Sequence, residues 1–123
     1  MPETKKQTRP EFPFDRIREL ALALPDAIEL DHHGRSSFRV SEKIFATIWD
    51  ENHVNVMLDP IRILEVAREN PRSCAEFWWG RQLRCVSVDV RYASAKLLRK
   101  LFKEAWERKT KKARKKGSKK ENT

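Results

Sequence analysis

Short apolar runs rich in β-branched and aromatic side chains, separated by polar breaks, define the middle of this chain. Residues 36–40 (SSFRV) and 43–49 (KIFATIW) flank the polar pair Ser41-Glu42, which is the composition of a β-hairpin. Residues 53–58 (HVNVML) follow after a second polar break, so the pattern predicts a meander of three strands.

The register of this hairpin decides which side chains share a face, and the sequence leaves two registers open. A two-residue loop at Ser41-Glu42 places Val40 opposite Lys43, whereas a three-residue loop through Lys43 places Val40 opposite Ile44. A slip of one residue exchanges the two faces of a strand. We favour the three-residue loop because it gathers the apolar side chains Phe38, Val40, Ile44, Ala46 and Ile48. The other face, expected to be open, then presents Arg39, Phe45, Thr47, Trp49, Asn55, Met57 and Ser87.

Helical periodicity precedes and follows these strands. Apolar residues recur at every third or fourth position in residues 14–24, 61–69 and 95–106, which is the spacing of amphipathic helices. Asp59-Pro60 is a start signal for the second helix, and Ser94 is one for the third. The sequence therefore predicts three helices, each with one apolar face.

The remaining segments complete the chain. Residues 25–34 are interpreted as a turn and loop that lead into the hairpin, and the aromatic residues 73–80 as a loop packed on the core. Alternating valines in residues 84–90 predict one more strand. The last helix is expected to continue to about Lys116, where Gly117-Ser118 breaks it. The order α-βββ-α-β-α predicts an α+β two-layer sandwich, an antiparallel sheet with helices on one face.

Charge is distributed unevenly along the chain, whose net charge is +9. Residues 108–120 hold nine of the 27 basic residues and no acidic residue. Setting these nine and Glu121 aside leaves 18 basic against 17 acidic residues in 1–107. We therefore predict a disordered lead at residues 1–11, a nearly neutral domain at 12–107 and a basic extension at 108–123.

Several classes of protein are not indicated. No apolar run approaches the roughly 20 residues of a membrane span, and the first residues lack a secretory signal, so we expect a cytoplasmic protein without membrane contact. Cys74 and Cys85 lack metal or redox spacing and are expected to be reduced thiols. With His32, His33 and His53 they form no zinc motif, so we expect no metal and no cofactor. No Gly-rich phosphate loop or nucleophile elbow occurs; we expect no catalytic residues and no enzyme activity.

Several short motifs occur in a recognisable order along the chain. They are Ala23-Leu24-Pro25, His33-Gly34, residues 37–40 (SFRV), 43–46 (KIFA) and 54–58, Trp78-Trp79-Gly80, residues 86–88 (VSV), and Ala105 in the last helix. Through this ordered set, residues 12–107 resemble the MmcQ/YjbR family of small bacterial proteins. Two positions depart from the family pattern: Glu42 stands where a glycine is usual, and Cys85 where a tryptophan is often found.

The resemblance implies a CyaY-like (frataxin-like) fold and DNA binding through a double wing of β-hairpins. We accordingly expect nucleic acid as the partner, DNA ahead of RNA, with low sequence specificity and a monomeric protein. Phosphate contacts are expected from cationic side chains of the hairpin, of the segment after the tryptophans and of the basic extension. These are Arg39, Lys43, Arg81, Arg84, Arg108, Lys109, Lys111, Lys112, Arg114, Lys115 and Lys116.

Two interpretations of Phe45 and Trp49 stay open. On an open sheet face they would stack on unpaired bases. Alternatively, they pack under residues 77–79 as a small second core. The alternative function is a module that binds a small molecule or a protein on the open sheet face.

Overall fold

A computed structural model describes the backbone of residues 14–122 and the side chains of residues 14–110. Along these residues the helices and strands are α1 (Phe14–Leu22), β1 (Ile28–His32), β2 (Arg35–Val40), β3 (Lys43–Asp50), β4 (His53–Val56), α2 (Pro60–Glu69), β5 (Cys74–Trp79), β6 (Gln82–Asp89) and α3 (Ala95–Asn122). The lead expected at residues 1–11 lies outside the described residues.

The six strands form one antiparallel sheet in the order β1-β2-β3-β4-β6-β5. Helix α2 packs on β5 and β6, while α3 packs on β2, β3, β4 and α1. The core lies between these two layers, and its largest fully buried side chains include Phe38, Phe45, Val54, Val56, Val86, Val88 and Phe102. The predicted α+β two-layer sandwich is confirmed.

Helix starts follow the sequence signals. Asp59 accepts a hydrogen bond from the Arg62 amide at 3.0 Å on its Oδ1, and Ser94 Oγ accepts one from the Leu97 amide at 3.0 Å. Each cap satisfies a backbone donor that the first helical turn leaves unpaired.

The backbone of α3 stays helical through Gly117-Ser118, so the expected break there is wrong. One interior glycine costs a helix only about 1 kcal/mol, and the surrounding Lys and Arg favour helix.

Two strands were expected to be loops. β1 and β5 are the two edges of the sheet, and most of their residues are exposed. β1 has no buried residue and β5 has one, whereas β3 and β4 have four and three consecutive buried residues. In β5 the pairing also shifts between Phe77 and Trp78, which makes the pattern less regular. These segments are therefore strands because of their hydrogen-bonded neighbours, β2 and β6.

The β2–β3 hairpin combines the two registers that the sequence left open. At its tip Val40 pairs with Lys43 across the two-residue loop Ser41-Glu42, and further along Phe38 pairs with Ala46. The pairing skips Phe45 between these two regions, so this residue forms a β-bulge. The three-residue loop is wrong, and the register that it predicts is found beyond the bulge.

The bulge turns two consecutive side chains of β3 towards the helices. Phe45 and Ala46 are both fully buried, and the Phe45 ring lies edge-on to Phe102 of α3 with 6.4 Å between centroids. Ile44 pairs with Arg39 and faces the other side of the sheet. The expected placement of Ile44 in the core and of Phe45 on the open face is therefore wrong.

A half-buried ion pair joins helices α2 and α3. Arg62 of α2 donates from Nε to Glu104 Oε1 at 2.8 Å and from a terminal nitrogen to Oε2 at 3.1 Å. Glu104 raises the pKa of the Arg62 guanidinium above its usual value. Arg62 also donates to Glu65 at 3.2 Å. The two-point contact fixes the angle of α2 against α3 as well as their spacing.

Replacing Glu104 by Gln should lower the free energy of unfolding by about 1 kcal/mol, because a bidentate, partly desolvated pair contributes more than an exposed pair. Denaturant titration followed by circular dichroism measures the loss. Glu19→Gln is the control, because Arg16 and Glu19 are 3.5 Å apart and exposed. Equal effects of the two substitutions would contradict the special role of Arg62–Glu104.

The hairpin loop places two non-glycine residues in the left-handed region, Ser41 at φ 53° and Glu42 at φ 66°. This pair of angles belongs to a type I′ turn, which favours glycine. Glu42→Gly should therefore raise the free energy of unfolding by about 0.5–1 kcal/mol, the relief of strain less the added freedom of the unfolded chain.

The control is Glu51→Gly in the next turn. Glu51 is not among the residues with positive φ, so glycine there relieves no strain and should lower the midpoint of thermal unfolding. The interpretation of the loop fails if both glycine variants shift this midpoint in the same direction.

Candidate functional site

The face of the sheet that turns away from the helices contains a groove of about 680 Å³. It crosses β3, β4, β6 and β5, and its walls include side chains of all four strands together with Lys109 of α3. The groove lies within the range of about 300–1,000 Å³ typical of ligand sites.

A row of small or polar side chains crosses this face of the sheet, and two of them, Thr47 and Asn55, line the groove. Thr47 pairs with Asn55, Asn55 with Ser87, and Ser87 with Ala75, so the four residues lie side by side on neighbouring strands. Asn55 is only 3% exposed, and among the described residues its Oδ1 has no hydrogen-bond partner. A buried acceptor left unpaired is costly, and this one lies at a groove that a ligand could enter.

Three aromatic rings lie on the same face of the sheet as this row. Trp49 of β3 lies 5.2 Å from Phe77 of β5 and 6.3 Å from Trp79 between ring centroids, and Phe77 and Trp79 are 6.0 Å apart. β3 and β5 are separated by three strand spacings, about 14 Å. The three rings meet because the side chains between β3 and β5 are short, which leaves room for the rings to extend across the sheet towards one another.

The three rings differ in how much surface they leave to a ligand. Arg35 lies over the Trp49 ring at 3.9 Å and donates from Nε to the Trp49 carbonyl at 2.8 Å, so one face of this ring is covered. Trp79 is 62% exposed. Trp78 is also exposed, but its indole donates to Glu76 at 2.9 Å, and it does not line the groove. Trp79 is therefore the aromatic surface that the groove offers.

The charged side chains of the groove have one sign. Arg35, Lys43, Arg84 and Lys109 line it, and no Asp or Glu does so among the described residues. Burial raises the pKa of the Cys85 thiol in the wall of the groove to about 12, although the neighbouring Arg84 acts in the opposite direction. The thiol is therefore neutral at physiological pH, and the groove is cationic.

Three of the four groove cations, Lys43, Arg84 and Lys109, gather at one end of the sheet for a topological reason, whereas Arg35 is bonded to the Trp49 carbonyl near the other end. Val56 of β4 pairs with Ala46 on one side and with Val86 on the other. Because β3 and β6 are both antiparallel to β4, they are parallel to each other, and the loops that precede them lie at the same end. These are the loops at residues 41–42 and 80–81. Arg108 and Lys109 reach the same end, where they border a smaller cavity of about 470 Å³ beside Arg84.

The structure thus brings together Lys43, Arg84 and Lys109 of the predicted phosphate contacts. Arg81 is exposed in the β5–β6 loop next to them. Arg39 lies on the same sheet face but does not line the groove. It donates to Ser37 Oγ at 3.1 Å and contacts Nδ1 of the groove residue His32 at 3.4 Å. Five further predicted contacts lie beyond the described side chains: Lys111, Lys112, Arg114, Lys115 and Lys116.

Sequence reasoning found part of this surface. Thr47, Trp49, Asn55 and Met57 line the groove as expected. Of the two interpretations of the aromatics, packing against residues 77–79 holds for Trp49, whereas Phe45 belongs to the main core. Seven lining residues were missed: His32, His33, Arg35, Ile44, Phe77, Trp79 and Cys85. A two-residue spacing of the aromatics at 77 and 79, followed by Gly80, is the hairpin signal that could have placed two of them.

The two cysteines are free and buried, and they point to opposite faces of the sheet. Cys74 pairs with Val88 of the core, whereas Cys85 pairs with Phe77 of the groove. Directly paired side chains lie on the same face, and faces alternate along a strand. Val88, the partner of Cys74, is three positions from Cys85 in β6, so the two thiols lie on opposite faces and cannot meet within the fold.

Cys85 should react with a disulfide reagent at pH 8 more than about a thousandfold more slowly in the native protein than in denaturant, because only the thiolate attacks. Release of the reagent's chromophore measures the rate. A Cys74→Ala background makes Cys85 the only thiol observed. If native Cys85 is labelled as fast as in the denatured chain, its thiol is not buried and protonated as proposed.

Two other kinds of site are not found within the part of the chain that the structure describes. No three His, Cys, Asp or Glu side chains come close enough to hold a metal ion. The described helices lack a stretch that is both long and apolar enough to cross a membrane.

Fold and groove together define an α+β protein with one covered and one open sheet face. A family model, YjbR, matches residues 22–108, and the chain belongs to this family. A search of curated proteins finds no match. Among solved structures, the crystal structure of Deinococcus radiodurans protein DR2400, with the family-model domain DUF419, is similar with a TM-score of 0.70 and 22% identity. The similarity covers 82% of this chain and 80% of that one, and it supports the fold alone.

Proposed function

We propose that this protein is a non-enzymatic nucleic-acid-binding protein, with DNA ahead of RNA as its partner. The observation that carries the proposal is the sign of the charges in the open groove. Arg35, Lys43, Arg84 and Lys109 line it without a described carboxylate. A cationic concave surface attracts polyanions and concentrates them.

The position of α3 adds a second argument. Its basic extension begins at Arg108, beside Arg84 at the cationic end of the sheet, and the following residues contain further lysines and arginines without an acid until Glu121. Arg108 and Lys109, the first residues of the extension, lie at the groove end, and we expect both the groove and the extension to supply phosphate contacts. Such contacts bind any sequence, so we expect low sequence specificity.

The net charge of the domain also supports phosphate binding by the groove and the extension. Residues 1–107 are nearly neutral, with 18 basic and 17 acidic residues. A neutral domain does not attract polyanions as a whole. Binding therefore depends on where its cations lie, and Lys43, Arg84 and Lys109 lie together in the groove.

The proposal is tested by fluorescence anisotropy of labelled DNA and RNA against the full chain at several salt concentrations. The unchanged protein should bind at low salt, and its affinity should fall steeply as salt rises, because counterions are released from the phosphates. Replacing Lys43 and Arg84 together by Gln should reduce the slope of log affinity against log salt by about 2.

A second variant carries Gln at the five extension positions Lys111, Lys112, Arg114, Lys115 and Lys116, and it should bind at least tenfold more weakly at low salt. The control is Lys96→Gln with Lys100→Gln, two exposed lysines that do not line the groove. It removes as much charge as the groove variant and should change the slope little. If the unchanged protein binds neither nucleic acid at low salt, the proposal is wrong.

A small anionic molecule is the second candidate, because the volume of the groove, about 680 Å³, suits one. This candidate predicts that groove substitutions abolish binding of the small molecule while the extension variant has no effect. The salt slope separates the two candidates, since a single small anion makes few ionic contacts and a polyanion makes many.

A further inference from the structure

The exposed ring of Trp79 and the unpaired Oδ1 of Asn55 lie in the same groove. Trp79 is 62% exposed, and an aromatic ligand stacked on its ring would cover part of this surface. A buried carbonyl oxygen without a partner among the described residues calls for a donor from the ligand. A nucleobase offers both, because it has a π-face and N–H groups on its edge.

The geometry around Trp79 favours stacking there over any other aromatic residue of the groove. Arg35 occupies one face of Trp49, and Phe77 is half-buried between the two tryptophans. Phe77 supports the Trp79 ring at 6.0 Å with 37° between the ring planes. The stacking surface is therefore held in place before a ligand arrives, which reduces the entropy that binding costs.

The cations around the groove would hold the rest of such a ligand. Lys43 and Arg84 lie at the end of the groove that the basic extension also reaches. Arg84 donates to the neutral amide of Gln82 at 2.9 Å, and no described carboxylate forms an ion pair with Lys43 or Arg84. Phosphates on either side of a captured base would find partners there.

We propose that the groove captures one unpaired base of a single-stranded nucleic acid, which stacks on Trp79, donates a hydrogen bond to Asn55 Oδ1 and places its flanking phosphates near Lys43 and Arg84. This inference rests on the proposed function and specifies the form of nucleic acid that the site selects. A duplex keeps its bases stacked and paired, so it offers phosphates to the cations but no base face to Trp79. The protein should therefore prefer single strands.

The test compares four ligands with the full chain at one moderate salt concentration: a mixed-sequence single strand, its duplex, an abasic single strand of the same length, and a free mononucleotide as competitor. The intact strand should bind most tightly. The abasic strand has the same phosphates but no bases, so it should lose affinity for this protein. If the intact and abasic strands bind equally, the inference is overturned. This comparison needs no variant of the protein.

Substitutions then locate the effect. Trp79→Ala should weaken binding of the intact strand roughly 5- to 140-fold, the range expected for the loss of one base–aromatic stack. Trp78→Ala is the matched control, because Trp78 is also exposed and adjacent but its indole is bonded to Glu76. The control should stay within about twofold of the unchanged protein. Trp79→Phe should recover much of the affinity, since phenylalanine keeps a π-face.

The outcomes distinguish this inference from the proposed function. If the protein binds duplex and single strand equally, and Trp79→Ala changes neither, the inference is overturned while phosphate binding stands. If the mononucleotide competes as well as the strand at equal nucleotide concentration, capture from a strand is also overturned. If no ligand binds even at low salt, the proposed function fails first. Quenching of tryptophan fluorescence by the intact strand, lost in Trp79→Ala and kept in Trp78→Ala, would support the inference.

Discussion

The bulge at Phe45 is the constraint on which the arrangement of this protein depends. β3 lies inside the sheet between β2 and β4 and must supply the core under α3. By directing Phe45 and Ala46 to the same side, the bulge places a large ring against Phe102 and leaves Ile44 for the opposite face. Without it, every residue of β3 between the hairpin tip and Ala46 would exchange faces.

When helices cover only one face of a sheet, the second face is exposed to water. Here the middle of that face carries small side chains such as Asn55 and Ser87, and the large rings of Trp49 and Trp79 stand at its margins. Small residues between large ones produce a concave surface. The antiparallel topology adds charge to one end of it, because two hairpin loops and residues 108–109 of α3 meet there. Shape and charge thus have the same origin in the strand order.

Much of the fold was predictable from local signals. The helix caps at Asp59 and Ser94 are read from neighbouring residues, because a cap acts within one turn. The central strands β3 and β4 have runs of buried residues and were found, whereas the mostly exposed edge strands β1 and β5 were missed. The site was predicted in part for the same reason: Trp49 and Asn55 belong to central strands, while Trp79 belongs to an edge strand.

The sequence by itself determined the classes of element, the apolar residues that form the core and the concentration of positive charge after residue 107, since these depend on local composition and spacing. Only the tertiary structure decided which face Phe45 occupies, that Cys74 and Cys85 lie on opposite sides of the sheet, and that Lys43, Arg84 and Lys109 share one groove. Each of these depends on pairing between strands that are distant in sequence. Such pairing is set by the packing of the whole sheet against its helices and not by any one segment.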